Sequence, residues 1–75
     1  MTNILLDLRS VPCPINFVKT KIKLDAMLSG QVLDVLLDDG EPAVSVSQSV
    51  VEEGHTLLEK AQTEDGAWLL RIQRS

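Results

Sequence analysis

The chain's one cysteine, Cys13, stands between two prolines, Pro12 and Pro14. Each proline disfavours a helical conformation in the residue before it, and Pro14, with its fixed φ and missing N–H, suits the first turn of a helix. The pattern therefore predicts a helix that begins at Pro14 and carries Cys13 at its N-cap. A sulfur atom there would lie near unpaired amides and the positive end of the helix dipole, which favour a thiolate and would equally favour a persulfide.

The charges around Cys13 differ from those of the rest of the chain. The net charge is −4, but residues 9–23 hold no acidic side chain and four basic ones: Arg9, Lys19, Lys21 and Lys23. This basic window is either a solvated helix face or a positive field that favours the thiolate and steers acidic partners towards it. The spacing alone does not decide between these interpretations.

The thiol itself also has two interpretations. A free cysteine often serves as a small buried hydrophobe, whereas the two-proline frame and the basic window favour a reactive group. The chain has no Cys-x-x-Cys pair, which argues against a self-contained dithiol oxidoreductase. His55 could act as a base for Cys13, but a lone histidine after a helix end is more often a capping or surface residue.

Composition excludes several classes of protein. The 75 residues make one domain, residues 1–75, in which a single cysteine cannot close an internal disulfide. One cysteine and one histidine are too few for a structural zinc site, and the acidic balance argues against direct contact with nucleic acid. No stretch is long and apolar enough to span a membrane, and the first residues do not resemble a signal peptide. We therefore expect a cytoplasmic domain.

The hydrophobic pattern predicts a β-α-β-α-β-β order. A buried strand is expected over residues 4–8, and further strands over 31–37, 55–63 and 67–73. The first helix should run from Pro14 to Leu28 or Ser29. The segment 41–53 is ambiguous, since its valines and serines alternate like a strand while Pro42 and Gly54 suit the ends of a helix. The simplest arrangement is an α/β (α+β) two-layer sandwich, with two helices on one face of a four-stranded mixed sheet. Its first two strands would be parallel, and its last two an antiparallel hairpin with Trp68 in the core.

Apolar residues of the first helix form two groups on roughly opposite sides. One group is Ile15, Val18, Ile22 and Ala26, and the other is Phe17, Leu24 and Leu28. Only one group can dominate the contact with the core, unless the helix is covered on more than one side. The sequence leaves open which group is exposed, and the exposed one would be a candidate docking surface. The acidic residues Asp38, Asp39 and Glu41 are expected to form a solvated turn rather than a cation site.

The segment from Leu6 to Pro14, Leu-Asp-Leu-Arg-Ser-Val-Pro-Cys-Pro, resembles the opening of the TusA/SirA family of small sulfur-carrier proteins. That opening has the pattern Leu-Asp-Leu-Arg-Gly-x-x-Cys-Pro-x-Pro. The resemblance continues without gaps over nearly the whole chain, through Leu24, Gly30, Val35, Asp38-Asp39 and Gly54-His55. It implies the same β-α-β-α-β-β sandwich and assigns the ambiguous segment to a helix over 42–53.

The resemblance also implies a function. Cys13 matches the cysteine that accepts a sulfane sulfur as a persulfide from a cysteine desulfurase or a rhodanese-type donor, and an acceptor protein takes the sulfur onward. In the family this sulfur feeds tRNA thiolation, molybdenum-cofactor maturation or dissimilatory sulfur oxidation. Such a protein is a sulfurtransferase-type carrier rather than a stand-alone enzyme, with no cofactor beyond the transient persulfide. We expect a monomer rather than a dimer.

The residues expected to shape the site are Pro12, Pro14 and Asn16, and those expected to supply electrostatic or docking contacts are Arg9, Lys19 and Lys23.

The sequence departs from the family pattern at two positions. Ser10 replaces the glycine after the arginine, and Asn16 replaces the second proline and keeps its N–H. These departures leave an alternative open, in which the protein is a non-catalytic regulatory or interaction module that has lost sulfur transfer. A third hypothesis is a redox-sensing thiol that dimerises through Cys13.

Overall fold

The structure is a computed structural model that describes residues 4–12 and 15–75. Its elements are β1 (Ile4–Asp7), α1 (Ile15–Ala26), β2 (Val32–Leu37), α2 (Glu41–Glu52), β3 (Thr56–Gln62) and β4 (Trp68–Gln73). The predicted element order is confirmed, and the ambiguous segment is a helix. Neither α1 nor α2 is long and apolar enough to cross a membrane, and the described residues contain no other helix.

The four strands form one mixed sheet in the order β1-β2-β4-β3. β1 and β2 are parallel, with Leu6 opposite Val35. β4 is antiparallel to both β2 and β3, and β3 is irregular between Leu57 and Glu59. The parallel first pair and the final hairpin are confirmed, and β1 and β3 are the two edges of the sheet.

The core lies between one face of the sheet and the two helices. Side chains alternate between the faces of a strand, so every second residue of the central strands points inwards. The buried strand residues are Leu33, Val35 and Leu37 of β2 and Leu70 and Ile72 of β4, and the helices add Leu24, Val46 and Val50. The α+β two-layer sandwich is therefore confirmed.

α2 forms although its residues have poor helix propensity. Pro42 occupies its first turn, and Gly54, with φ of 95°, provides the left-handed turn that ends it. The N–H of His55 then donates to the Val50 carbonyl, 3.1 Å away. Ala43, Val46 and Val50 are all buried, so burial of one helix face outweighs the β-branched composition.

α1 ends at Ala26, two or three residues before the predicted end. The N–H of Met27 bonds to the Leu24 carbonyl at 3.0 Å, which tightens the last turn, and the Nε of Arg74 donates to the same carbonyl at 2.6 Å. Gln31 accepts from the Leu28 N–H through its side chain. A contact with the other end of the chain thus helps to terminate the helix. The predicted first residue, Pro14, lies outside the described residues.

Two further predictions were wrong about burial. β1 was expected to be a buried strand, but it is an edge strand on which Leu5 is 63% exposed. Trp68 was expected in the core, but it is only partly buried at the start of β4. Its indole N–H donates to Asp39 at 2.6 Å, and the Lys60 ammonium lies 5.5 Å from its ring centroid.

The structure decides which apolar group of α1 is exposed. Ile15, Val18 and Ile22 are 48%, 48% and 63% exposed, and Ala26 is exposed with them. The core-facing side holds Leu24, the partly buried Phe17 and two buried polar residues, Asn16 and Thr20. Leu28 is exposed because it lies beyond the end of the helix. α1 therefore presents its more apolar stripe to solvent.

Candidate functional site

The candidate site lies where the loop after β1 meets the start of α1. Cys13 and Pro14, two of its predicted members, lie outside the described residues, whereas Leu8–Pro12 and Asn16 are described. Leu8 ties the start of this loop to the sheet, since its N–H donates to the Leu36 carbonyl at 2.9 Å and its side chain is 2% exposed. The Val11 N–H returns to the Leu8 carbonyl at 3.1 Å. The segment leading to Cys13 is therefore a tight turn anchored in the core.

Ser10 is held in an unfavourable backbone conformation by Asp38. Its φ of 65° is in the left-handed region, where a residue with a Cβ is strained. The Ser10 N–H donates to the Asp38 Oδ2 at 2.7 Å, a charge-assisted hydrogen bond. The glycine of the family pattern fits this φ without strain. Sequence reasoning placed Asp38 in a turn, and its anchoring of the loop was missed.

Arg9 joins the loop to the β3–β4 turn. Its guanidinium is 2.8 Å from the Asp7 Oδ2 and 3.0 Å from the Asp65 Oδ2. The hydrogen bonds from Arg9 lower the pKa of Asp7 to about 2. The pKa of Asp65 is also lowered, first by the Thr63 hydroxyl and the Ala67 N–H. Arg9 was predicted to supply field or docking contacts, and the structure places it between two carboxylates that offset its charge.

Pro12 and Asn16 lie on either side of the undescribed pair. The Asn16 N–H donates to the Pro12 carbonyl at 3.1 Å, so a backbone hydrogen bond joins the two sides of this pair. Pro12 is exposed and Asn16 is fully buried. The structure thus brings together the described members of the predicted Pro12, Pro14 and Asn16 set.

Only one end of the buried Asn16 side-chain amide has a hydrogen-bond partner among the described residues. Its Oδ1 accepts the Phe17 N–H at 2.7 Å, which leaves Nδ2 as the free end. Nδ2 is buried and has no hydrogen-bond partner among the described residues. An unpaired buried donor costs about 1–3 kcal/mol. The Thr20 hydroxyl donates to the Asn16 carbonyl at 2.9 Å, so the two buried polar residues of α1 form one local network.

The lysines of α1 fall into two kinds. Lys21 lies 3.3 Å from the Glu53 carboxylate at the end of α2. Lys19 and Lys23 have no carboxylate within bonding distance among the described residues. They line an open groove of about 400 Å³ between α1 and the edge strand, together with Leu6, Ile22 and Ala26. The predicted positive charge near the site therefore comes chiefly from Lys19 and Lys23, because Arg9 and Lys21 are paired.

His55 and the acidic turn have structural partners. The His55 Nδ1 accepts the Ser75 N–H at 3.2 Å, directly after the end of α2. This agrees with a boundary residue rather than a base for Cys13. Asp38 and Asp39 bind Ser10 and Trp68, respectively. Within residues 4–12 and 15–75, no three His, Asp or Glu side chains are grouped so that they could hold a metal ion.

The fold is that of a solved SirA-like protein from Desulfitobacterium hafniense. The two structures agree with a TM-score of 0.83, over 93% of this chain and 95% of the other, at 22% sequence identity. The chain therefore shares the fold of that protein, a small two-layer α+β sandwich.

Residues 4–74 match the family model described as Sulfurtransferase TusA, so the chain belongs to the TusA family. A relative from Archaeoglobus fulgidus, named as a candidate sulfur carrier protein, is 41% identical over 73 residues, which cover 96% of this chain and 82% of that protein. TsuB of Escherichia coli K12, also named as a candidate sulfur carrier, is 30% identical over 93% of each chain. The family predicted from the cysteine motif is confirmed.

Proposed function

We propose that the protein is a sulfur carrier that holds a sulfane sulfur as a persulfide on Cys13. The observation that carries the proposal is the position of this cysteine in the chain. Cys13 lies in the sequence between a turn anchored to the sheet, which ends at Pro12, and Ile15, the first residue of α1, in a family whose relatives are named as candidate sulfur carriers. Helix N-termini and nearby lysines stabilise thiolates and persulfides.

The transfer is a thiol exchange with no net oxidation. The Cys13 thiolate attacks the outer sulfur of a persulfide on a cysteine desulfurase or a rhodanese-type donor. The donor's S–S bond breaks, a new S–S bond forms on Cys13, and the proton of the outer sulfur travels with it while the donor leaves as a thiolate. An acceptor protein then repeats the exchange in the opposite sense. Because the chain has no second cysteine, the persulfide cannot collapse into an internal disulfide.

The anchored loop supports this role physically. Asp38, Arg9 and Leu8 hold the backbone before Cys13, which limits the entropy lost when a partner's sulfur must be aligned with the thiolate. The Nδ2 of Asn16, which has no hydrogen-bond partner among the described residues, is a donor three positions after Cys13, in the place of the second proline of the family pattern. A charged sulfur on Cys13 is an acceptor of the kind that this donor lacks.

The test is sulfur loading followed by mass measurement. We expect the protein, incubated with a purified cysteine desulfurase and cysteine, to gain the mass of one sulfur atom, and to lose it on treatment with dithiothreitol. The Cys13→Ala variant should gain nothing. A protein that stays unmodified, or an adduct that persists in Cys13→Ala, would refute sulfur transfer through Cys13. A protein that stays unmodified would favour the alternative function, a non-catalytic regulatory or interaction module.

A further inference from the structure

We propose that the groove between β1 and α1 binds an extended, acidic segment of a partner protein, which pairs with β1 as a fifth strand. The proposal rests on the proposed function in one respect, namely that the partner is a protein of the sulfur relay. The groove is lined by Leu6 of β1 and by Lys19, Ile22, Lys23 and Ala26 of α1.

The sheet ends at β1 on the side of α1, and no strand of the described residues lies beyond it. β1 is an edge, and α2 packs over β3 and β4 at the other side of the sheet. Ile22 is 63% exposed, and Val18, one turn earlier, is 48% exposed, so the other described residues leave this side of α1 uncovered. A strand added beside β1 would lie below this side of α1 and would cover Ile22.

β1 has backbone groups with no partner among residues 4–12 and 15–75, and such a strand can use them. The Leu8 N–H points to β2, where it donates to the Leu36 carbonyl. In a parallel ladder the bonded direction alternates along the strand, so Leu6 also faces β2 while Leu5 and Asp7 direct their N–H and C=O groups outwards. The register of β1 with β2 is regular over all four residues. A regular edge with unpaired groups is a template for a further strand.

The charges select an acidic occupant. The chain has a net charge of −4 and seven basic side chains. Five of these have partners within the described residues: Arg9, Lys21 and Arg71 with carboxylates, Lys60 with Trp68, and Arg74 with carbonyls. The remaining two, Lys19 and Lys23, have no such partner among the described residues, and both line the groove. A second copy of this chain would bring two more ammonium groups into the groove. A partner with carboxylates beside apolar residues complements it instead.

The groove also lies close to the proposed site. At about 1.5 Å of rise per residue, Lys19 is about 6 Å and Ala26 roughly 16 Å along the axis of α1 from Ile15. A segment bound there would run along α1 from the neighbourhood of position 13. The surface can therefore hold a relay partner while one sulfur atom is transferred between Cys13 and the partner's cysteine.

The direct test is a titration of the ¹⁵N-labelled Cys13→Ser protein with two capped hexapeptides. One alternates valine with glutamate, and the other alternates valine with lysine. We expect the glutamate peptide alone to shift the amide signals of Leu6, Lys19, Ile22 and Lys23, and to slow hydrogen exchange at Leu5 and Asp7. Binding should weaken as salt is added. Equal binding of both peptides, or shifts centred elsewhere, would overturn the proposal.

Charge reversal on the same helix gives a matched control. Lys23→Glu should weaken binding of the glutamate peptide about tenfold, because it replaces an attraction by a repulsion. Lys21→Glu makes the same change of net charge at a lysine that is paired with Glu53, and it should leave binding nearly unchanged. Equal losses in the two variants would contradict a specific groove.

Two further results separate this surface from its alternatives. A mass that rises with protein concentration in sedimentation equilibrium, and that Leu5→Lys abolishes, would assign the edge to a second copy and overturn the proposal. The peptide titration does not need the thiol. If sulfur loading succeeds and the glutamate peptide does not bind, the groove proposal alone is refuted. If the peptide binds and loading fails, the carrier function is refuted and the docking surface stands.

Discussion

β1 and β3 are the two edges of one sheet, and β3 carries more of the features that discourage further pairing. β3 is irregular between Leu57 and Glu59, and its charged residues are engaged, Glu59 with Arg71 and Lys60 with Trp68. Bulges and charges of this kind keep an edge from pairing with other chains. β1 is regular, its one charged residue is Asp7, and it leads into the Cys13 loop.

The comparison suggests how this small domain divides its surface. The β3 edge is closed by its own side chains, and its turn is used to hold Arg9. The β1 edge is left open beside a groove lined by Lys19 and Lys23, which have no carboxylate partner among the described residues. The two edges thus differ in how open they are to a further strand, and the following substitutions compare the contacts that hold each side of the sheet in place.

The largest expected effect is on the free energy of unfolding, when the core-facing leucine beside each edge, Leu8 or Leu57, is shortened to alanine. Leu8, after β1, is 2% exposed, whereas Leu57 of β3 is only partly buried against the core. Leu8→Ala should lower the free energy of unfolding by about 2–5 kcal/mol, because it leaves a cavity, and Leu57→Ala by about 1 kcal/mol. Urea unfolding followed by tryptophan fluorescence measures both. Equal losses would show that the loop after β1 is no better anchored than the opposite edge.

Replacing Ser10 by glycine should have a smaller effect of opposite sign. Glycine tolerates the φ of 65°, so Ser10→Gly should raise the free energy of unfolding by about 0.5–1 kcal/mol. Gly54→Ala is the matched control at a positive φ near the β3 edge, and it should destabilise. Thermal unfolding by circular dichroism distinguishes the two signs. A destabilised Ser10→Gly protein would mean that the serine side chain, rather than the Asp38 contact, holds the turn.

The smallest effect concerns the exposed ion pair of Arg9. The pKa of Asp7 is about 2, below its ordinary value of about 3.9, so the pair stabilises the fold above about pH 4 and loses its effect as the pH falls towards 2. In Arg9→Gln the Asp7 pKa should return towards the ordinary value, and stability should depend less on pH in this window. Carboxyl-carbon NMR titration of Asp7 measures the change.

Arg71→Gln removes the corresponding arginine on the β3 side, where it binds Asp34 and Glu59. This substitution should leave the titration of Asp7 unchanged. An Asp7 that still titrates near pH 2 in Arg9→Gln would show that the arginine is not the cause of the lowered pKa.

Much of the fold could be predicted because its signals are local. A run of apolar and β-branched residues placed β2, alternating apolar residues placed β4, and Pro42 with Gly54 bounded α2 once the family resemblance had resolved its type. The anchoring of the site could not be predicted. Asp38 meets Ser10 across 28 positions and Asp65 meets Arg9 across 56, and no local pattern indicates which of eleven acidic residues will meet which partner.

The sequence by itself determined the family, the order of the elements and the single thiol framed by prolines, since each depends on residue types and short spacings. The tertiary structure decided which apolar stripe of α1 is exposed, because a helix buries the stripe that has strands beneath it, and no strand lies beyond β1. It also decided which lysines stay unpaired, because Glu53 reaches Lys21 only when the ends of the two helices meet. Charge near the site follows from these contacts between distant residues, which neither composition nor periodicity encodes.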